Sequence, residues 1–243
     1  MKKYTIEDLK SFEKNENGYT LCPSGDYTEI KSFGEMCIFY KNCSFGKECI
    51  FGEKCIFCEM CSFGEGCYFG KNCSFGGECR FGEGCIFNEG CSFDEWCSFG
   101  KDCSFNKNCM FSEKCSFGEI CSFNENCSFG EYCSFSESCN FGISCYFGEK
   151  CSFGEWCSFG NLCSFENGKV KNGKYFACDK IGGEKRKAYF FCSEDKEIFV
   201  RAGCFFGTEK KFLERLKETR KGTKYERQYK LALELAKDVL LGE

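Results

Sequence analysis

From Cys37 to Phe165 the chain repeats one pattern of apolar and polar positions without a break. A Cys falls on every sixth residue and a Phe follows two residues later, giving 22 copies of C-x-F-[G/N]-x-x. Residues two apart lie on the same side of an extended segment, so Cys and Phe point one way and the residue between them the other. That middle residue is usually Ser, as at Ser44, Ser62, Ser74, Ser92 and Ser98. Each hexad therefore predicts a short strand with Cys and Phe inside and Ser outside. The residue after Phe is Gly in 13 copies, Asn at Asn88, Asn106 and Asn124, and Asp at Asp94. These residues tolerate positive φ, which predicts a tight corner in that slot.

A short fixed period means a solenoid, and the outward positions say how many hexads close a coil. Glu53, Lys71, Glu89, Lys107 and Glu125 alternate in sign every 18 residues, and the three Asn share that spacing. Opposite charges and like amides support one another on neighbouring strands about 4.8 Å apart. Three hexads per coil puts them there. The expected fold is a β-solenoid, a triangular parallel β-helix of about eight coils and roughly 37 Å in length.

The hexad resembles the left-handed β-helix hexapeptide repeat: a small residue, any residue, an aliphatic, then Gly, Asn or an acidic residue and two free positions. Cys takes the small slot here, and Phe uniformly replaces the aliphatic, which departs from that family and implies a wider core. Left-handedness is what the resemblance implies. The array is also similar to C-S-F-G-E-x proteins of gut bacteria and their phages, as are the flanking Cys22–Tyr27 and Val200–Gly207. That second likeness brings no activity with it.

Three segments are expected: 1–30 as N-terminal cap, 31–168 as solenoid and 169–243 as a small α+β unit. Met1 to Asn17 reads as a helix with Thr5 as N-cap, Ile6, Leu9 and Phe12 at helical spacing, and Gly18 as its end. Tyr27 and Phe33 already occupy the Phe slot of imperfect hexads. Beyond Lys174, Tyr175–Lys180, Ala188–Cys192 and Ile198–Phe206 read as three strands. Thr208 caps one helix anchored by Phe212, Leu213 and Leu216. Thr223 with Glu226 forms a capping box for a second, which carries Tyr225, Tyr229, Leu233, Ala236 and Leu240 on one face. Covering the solenoid ends blocks end-to-end association.

Charge divides along the chain: net −2 over 1–30, −9 over 31–168 and +7 over 169–243. No His occurs anywhere. Hexapeptide β-helix enzymes use His as general base or zinc ligand, on loops this rod lacks, so a non-enzymatic role is expected and no cofactor. Without His, no ordinary pairing activates the tail thiols Cys178, Cys192 and Cys204. The 27 Cys read chiefly as small core hydrophobes. Cys58, in the corner slot, is the candidate exposed thiol.

The remaining candidates lie on the outside. Ile38, Ile50, Ile56, Tyr68 and Ile86 replace the outward Ser near one end, and Trp96 and Trp156 stand at corners. The N-terminal cap is expected to fold over the first group, with a self-association or protein-binding surface as the alternative. Glu113, Glu131 and Glu149 form one acidic column and Glu119, Glu137 and Glu155 another. The tail's basic residues alternate with Glu and suggest helix-surface ion pairs. The role expected is a structural or protein-interaction scaffold. The alternatives are an acidic rod imitating DNA to inhibit a DNA-binding protein, or a soft-metal or thiol reservoir. Nucleic acid and membrane are not expected as partners. No apolar run would span a bilayer and Met1–Lys10 has no signal-like core, so a cytoplasmic location is expected.

Overall fold

The computed structural model describes residues 1–242 except 149–150, 155–156, 161–162, 166–169, 183–185, 194–195 and 203–204. Twenty-five short strands, β1 (Thr20–Cys22) to β25 (Ser164–Phe165), wind into a solenoid with three parallel faces of nine, eight and eight strands. Every third strand pairs, and from the second coil on the partners are 18 residues apart, as in Ile86↔Ser104 and Phe87↔Phe105. The triangular coil of three hexads is therefore the observed one. Tyr27 and Phe33 sit in the Phe slot as expected, in register with Phe45 and Phe51.

Aromatic stacking fills the core. Phe105 lies 4.8 Å from Phe87 and from Phe123, with ring planes within 4° of parallel. It also meets Phe99 and Phe111 edge-on at 5.0 Å. Offset stacking within a column and T-shaped contact between columns are the two arrangements the ring quadrupole favours. The Phe rings of successive coils thus form continuous stacks beside the buried Cys columns.

Backbone groups are satisfied coil to coil. The N–H between Cys and Phe donates to a Cys carbonyl of the coil below (Ser104 to Cys85, 2.9 Å), and the N–H after Phe donates to a Phe carbonyl (Asn106 to Phe87, 2.9 Å). The last N–H of each hexad donates to the coil above (Ile120 to Glu137, 2.9 Å).

The left-handed backbone does not fall where the glycines suggested. Positive φ lies in the last slot of the hexad, just before Cys, at residues such as Trp96 (61°), Ile120 (60°) and Tyr132 (56°). The slot after Phe is small for another reason: a Cβ added to Gly118 would come within 2.6 Å of the Gly100 and Lys101 backbone beneath it. Glycine there permits coils to approach, whereas the αL slot is relieved by Gly66, Gly84 and Gly90 and by Asn42, Asn72, Asn108 and Asn126, and bears the conformational cost where it holds Trp96, Ile120 or Tyr132.

The N-terminal helix, α1 (Ile6–Ser11), is shorter than its apolar spacing predicts. Thr5 and Asp8 form a reciprocal capping box, and Phe12 already has an extended backbone. Hydrogen bonds tie the preceding residues to the rod: Tyr4 N–H donates to the Asp26 carbonyl at 2.9 Å, and Asp26 N–H to that of Lys2 at 2.7 Å. This places the Tyr4 ring on Tyr27 at 4.9 Å, continuing a Phe column by one layer. Leu9 and Phe12 pack against the same core. Tertiary pairing has overridden helix propensity at both ends of α1. Gly18, with φ of 80°, turns the chain into β1 rather than ending the helix.

After the rod comes a four-stranded antiparallel sheet of β26 (Val170–Ile181), β27 (Arg186–Ser193), β28 (Ile198–Ala202) and β29 (Phe205–Thr208). The expected strand Ile198–Phe206 is two, folded back so that Ala202 pairs with Phe205. Helices α2 (Glu209–Arg220) and α3 (Lys224–Leu241) pack on one side of this sheet through Phe212, Leu216, Leu233 and Ala236. Thr208 and Thr223 cap them as expected, but the Glu226 carboxylate accepts from Gly222 N–H and Lys230 rather than completing its box. The other side, carrying Tyr189, Phe191 and Phe199, joins the solenoid core and covers its last coils.

Candidate functional sites on and inside the rod

Thiols line three columns, one at the entrance to each face, and nearly all are fully buried. From Cys55 onward the column thiols make one repeated contact. Cys85 Sγ donates to the Gly64 carbonyl, Cys103 to Gly82 and Cys121 to Gly100, all at 3.4 Å, and the relation of 21 residues continues to Cys163. The acceptor is the carbonyl of the residue after Phe in the coil below. The corner turns that group away from the strand ladder. Cys therefore serves the corner as a donor as well as the core as a small apolar residue. Contact with Cys115 together with burial pushes the Cys97 thiol up to about 12.

Cys58 is only half exposed, and burial raises its pKa, so it is a weaker nucleophile than a free cysteine. It borders a groove of about 850 Å³ running along the first face past Ile56, Ser74, Ser92 and Asp94.

The outward apolar residues divide between two faces. Ile38 and Ile56 are paired neighbours on the first face and half-buried. Ile50, Tyr68 and Ile86 stack on three consecutive coils of the third face. The N-terminal segment does not cover this column: its members are 53%, 39% and 47% exposed. The reason is geometric, because residues 1–18 close the end of the rod by extending the second face through Lys3 and Asp26, away from the third. Tyr68 hydroxyl accepts from Asn88, beginning an amide ladder that runs through Asn106 to Asn124 at 3.2 Å per step.

Trp96 is exposed in its αL corner with the Lys114 ammonium 4.9 Å above the ring. Trp156, Glu149 and Glu155 lie outside the described residues. Of the acidic columns, Glu113 and Glu131, and Glu119 and Glu137, stand one coil apart, and Lys114 pairs with Glu113 at 3.0 Å. Elsewhere the charged columns alternate: Glu89 lies between Lys71 (3.8 Å) and Lys107 (3.7 Å), and Lys47 meets Glu65 at 2.8 Å.

Two features were missed in the sequence. Arg201 is 4% exposed, with Nη2 2.5 Å from the Gly154 carbonyl. Its guanidinium lies 5.0 and 5.1 Å from the centres of Phe153 and Phe159. A charged residue two positions after Phe199, on the same side of the strand, had signalled only a strand. On α3, Leu231, Leu235 and Val239 form an exposed stripe at four-residue spacing, legible as a second apolar face beside the buried one.

Among the described residues no group of three or more His, Cys, Asp or Glu could hold a metal ion, and no helix is long and apolar enough to cross a membrane. The family of RNA-binding, Nab2-type zinc fingers matches residues 37–57, 72–88, 78–94, 96–112 and 138–154, about a third of the chain in all. Such fingers bind zinc with three Cys and a His. Here there is no His, and successive Cys of each matched segment sit at different corners of the coil. The likeness follows cysteine spacing and not a ligand set. No curated protein and no solved structure matches the chain.

Proposed function

We propose that this chain is a non-enzymatic, rigid scaffold whose contact surface is the third face of the rod, acting on a protein partner in the cytoplasm. The carrying observation is the column Ile50–Tyr68–Ile86, exposed on three adjacent coils of a face that otherwise presents Ser and Asn. Exposed apolar clusters on a rigid support signal protein contact. A flat strip repeating at the strand spacing suits an equally flat surface, the simplest being a second copy of the rod. The six-residue periodicity also supports kinship with left-handed hexapeptide-repeat helices, and we adopt that handedness. Nucleic acid is not among the proposed partners, since the rod is net acidic and the zinc-finger likeness brings no finger.

Sedimentation velocity tests the reading with the full chain against a variant carrying Ile50→Ser, Tyr68→Ser and Ile86→Ser. Association of the parent that is lost in the variant, at equal melting temperature, supports it. A photo-crosslinker at position 68 that labels no protein in cells, together with monomeric behaviour of both chains, would sink it.

A further inference from the structure

We infer that helix α3 carries a second association surface, separate from the third face of the rod, which takes α3 of another copy of this chain in antiparallel orientation. One side of α3 is buried in the cap through Ala232, Leu233 and Ala236. Another carries Leu231, Leu235 and Val239, each more than half exposed. A helix apolar on two sides has more apolar surface than its own sheet covers. The direction of the stripe follows from the helix geometry. α3 lies over β26 and β27, and α2 over β28 and β29. Lys237 reaches across to Glu209 of α2 at 3.3 Å. At about 100° per residue, Leu235 and Val239 stand almost opposite Lys237. The stripe therefore looks away from α2, past the edge strand β26. A further helix placed there continues the layer of two that already covers the sheet.

Charge names the occupant. The exposed positions of α3 are basic towards its start, at Lys224 and Arg227, and acidic towards its end, at Glu234 and Asp238. Cations near a helix N-terminus and anions near its C-terminus both oppose the macrodipole, and Glu234 and Asp238 repel one another across one turn. Neighbouring lysines give no relief, since Lys230 pairs with Glu226 at 2.7 Å and Lys237 with Glu209. Among the described residues Arg227, Glu234 and Asp238 form no ion pair. The arrangement is unfavourable for α3 alone and favourable for two such helices running in opposite directions.

With a two-fold axis level with Leu233, Leu231 of each copy meets Leu235 of the other. Arg227 lies about 9 Å before that level and Asp238 about 7.5 Å after it. About three turns separate the two residues, so both stand on one flank of the stripe. Each Arg227 then comes level with Asp238 of the second copy, and the axis makes the pair twice. A parallel pair would set Arg227 against Arg227 and Asp238 against Asp238. Self-complementarity thus selects a second copy and the antiparallel sense. One helix from each copy makes a small interface, below about 1,200 Å², so the complex is weak and transient.

The test uses the full chain carrying Ile50→Ser, Tyr68→Ser and Ile86→Ser, so that contact through the third face contributes nothing. Sedimentation velocity is followed at low salt up to about 1 mM protein. The expected result is a sedimentation coefficient that rises with concentration towards that of a dimer. Leu235→Glu holds the chain at the monomer value, at an unchanged melting temperature. Arg227→Asp and Asp238→Arg each weaken association about tenfold, and an equal mixture of the two restores it, because each supplies the charges the other lacks. A photo-crosslinker at position 239 joins the segment of the second copy that holds Arg227. A chain that stays monomeric at every concentration overturns the proposal. So does association that survives Leu235→Glu, a mixture that associates no better than either variant alone, or a crosslink from position 239 to position 239 of the second copy.

Discussion

Replacing Cys103 by Ala separates two accounts of the cysteine slot. If the thiol is only a small apolar filler, the change removes one buried sulfur, about 1 kcal/mol. The structure assigns a second role, because Cys103 Sγ is 3.4 Å from the Gly82 carbonyl. Leaving that part-buried acceptor without a donor adds up to about 1–2 kcal/mol, for a total near 2–3 kcal/mol. Ser is not a rescue. Its shorter C–O bond draws the donor back from a carbonyl already at sulfur range, while O–H···O bonds want about 2.8 Å. The position also suits the measurement, since Cys103 is fully buried and lies in mid-rod, away from either cap. Urea titration in reductant gives the difference, provided the parent and variant slopes agree. A cost of Cys103→Ala below about 1 kcal/mol would refute the donor role, and Cys would then be a choice of volume alone.

Ile120→Gly should stabilise the rod by about 1 kcal/mol, because Ile120 holds φ at 60° with its side chain half in solvent; a lower denaturation midpoint would contradict the assignment of strain to that slot. Lys107→Glu sets a like charge beside Glu89, now 3.7 Å from the ammonium. The cost should stay below about 1 kcal/mol and vanish in 1 M salt, as melting at two ionic strengths would show. The raised thiols make the fold sensitive to alkali: Cys97 is pushed from 9.0 to about 12. Its stabilisation is therefore complete below pH 9 and is lost as pH rises from 9 towards 12. Chemical denaturation across that window should show a falling midpoint, and a flat profile would count against buried protonated thiols. Arg201→Ala should loosen the last coils by removing a cation over two rings and a donor to Gly154; hydrogen exchange should rise at Asn140–Phe141 and Ser152–Phe153 before it does at Ser104.

The repeat made the solenoid readable because each hexad states its own inside and outside, and the 18-residue echo of Lys71, Glu89 and Lys107 states the coil. The backbone at the corner was less accessible. Gly after Phe looks like a conformational requirement, yet it marks close approach between coils, while the αL slot mixes Gly66, Gly84, Gly90, Asn42, Asn72, Asn108 and Asn126 with Glu, Lys, Trp and Ile, a bias fainter than the run of Gly after Phe. Position relative to the ends was not legible either. Nothing in Ile50, Tyr68 and Ile86 says which face the N-terminal segment will leave open; that depends on Lys3 pairing with Asp26. Arg201 shows the same limit, since a single charge within a strand signals nothing until the sheet is seen to lie on the rod.

The three faces share one core and differ only outside, which separates two kinds of length change. Removing 18 residues deletes a layer and leaves every later residue on its own face. Removing six leaves Cys above Cys and Phe above Phe, so the interior registers nothing, yet each later side chain moves round by a third of a turn. Ile86 would leave the column of Ile50 and Tyr68, and the closing sheet would meet the rod from another side. Growth by slippage within such an array is thus neutral for folding and disruptive for recognition. Selection on the outer surface alone would count hexads in threes.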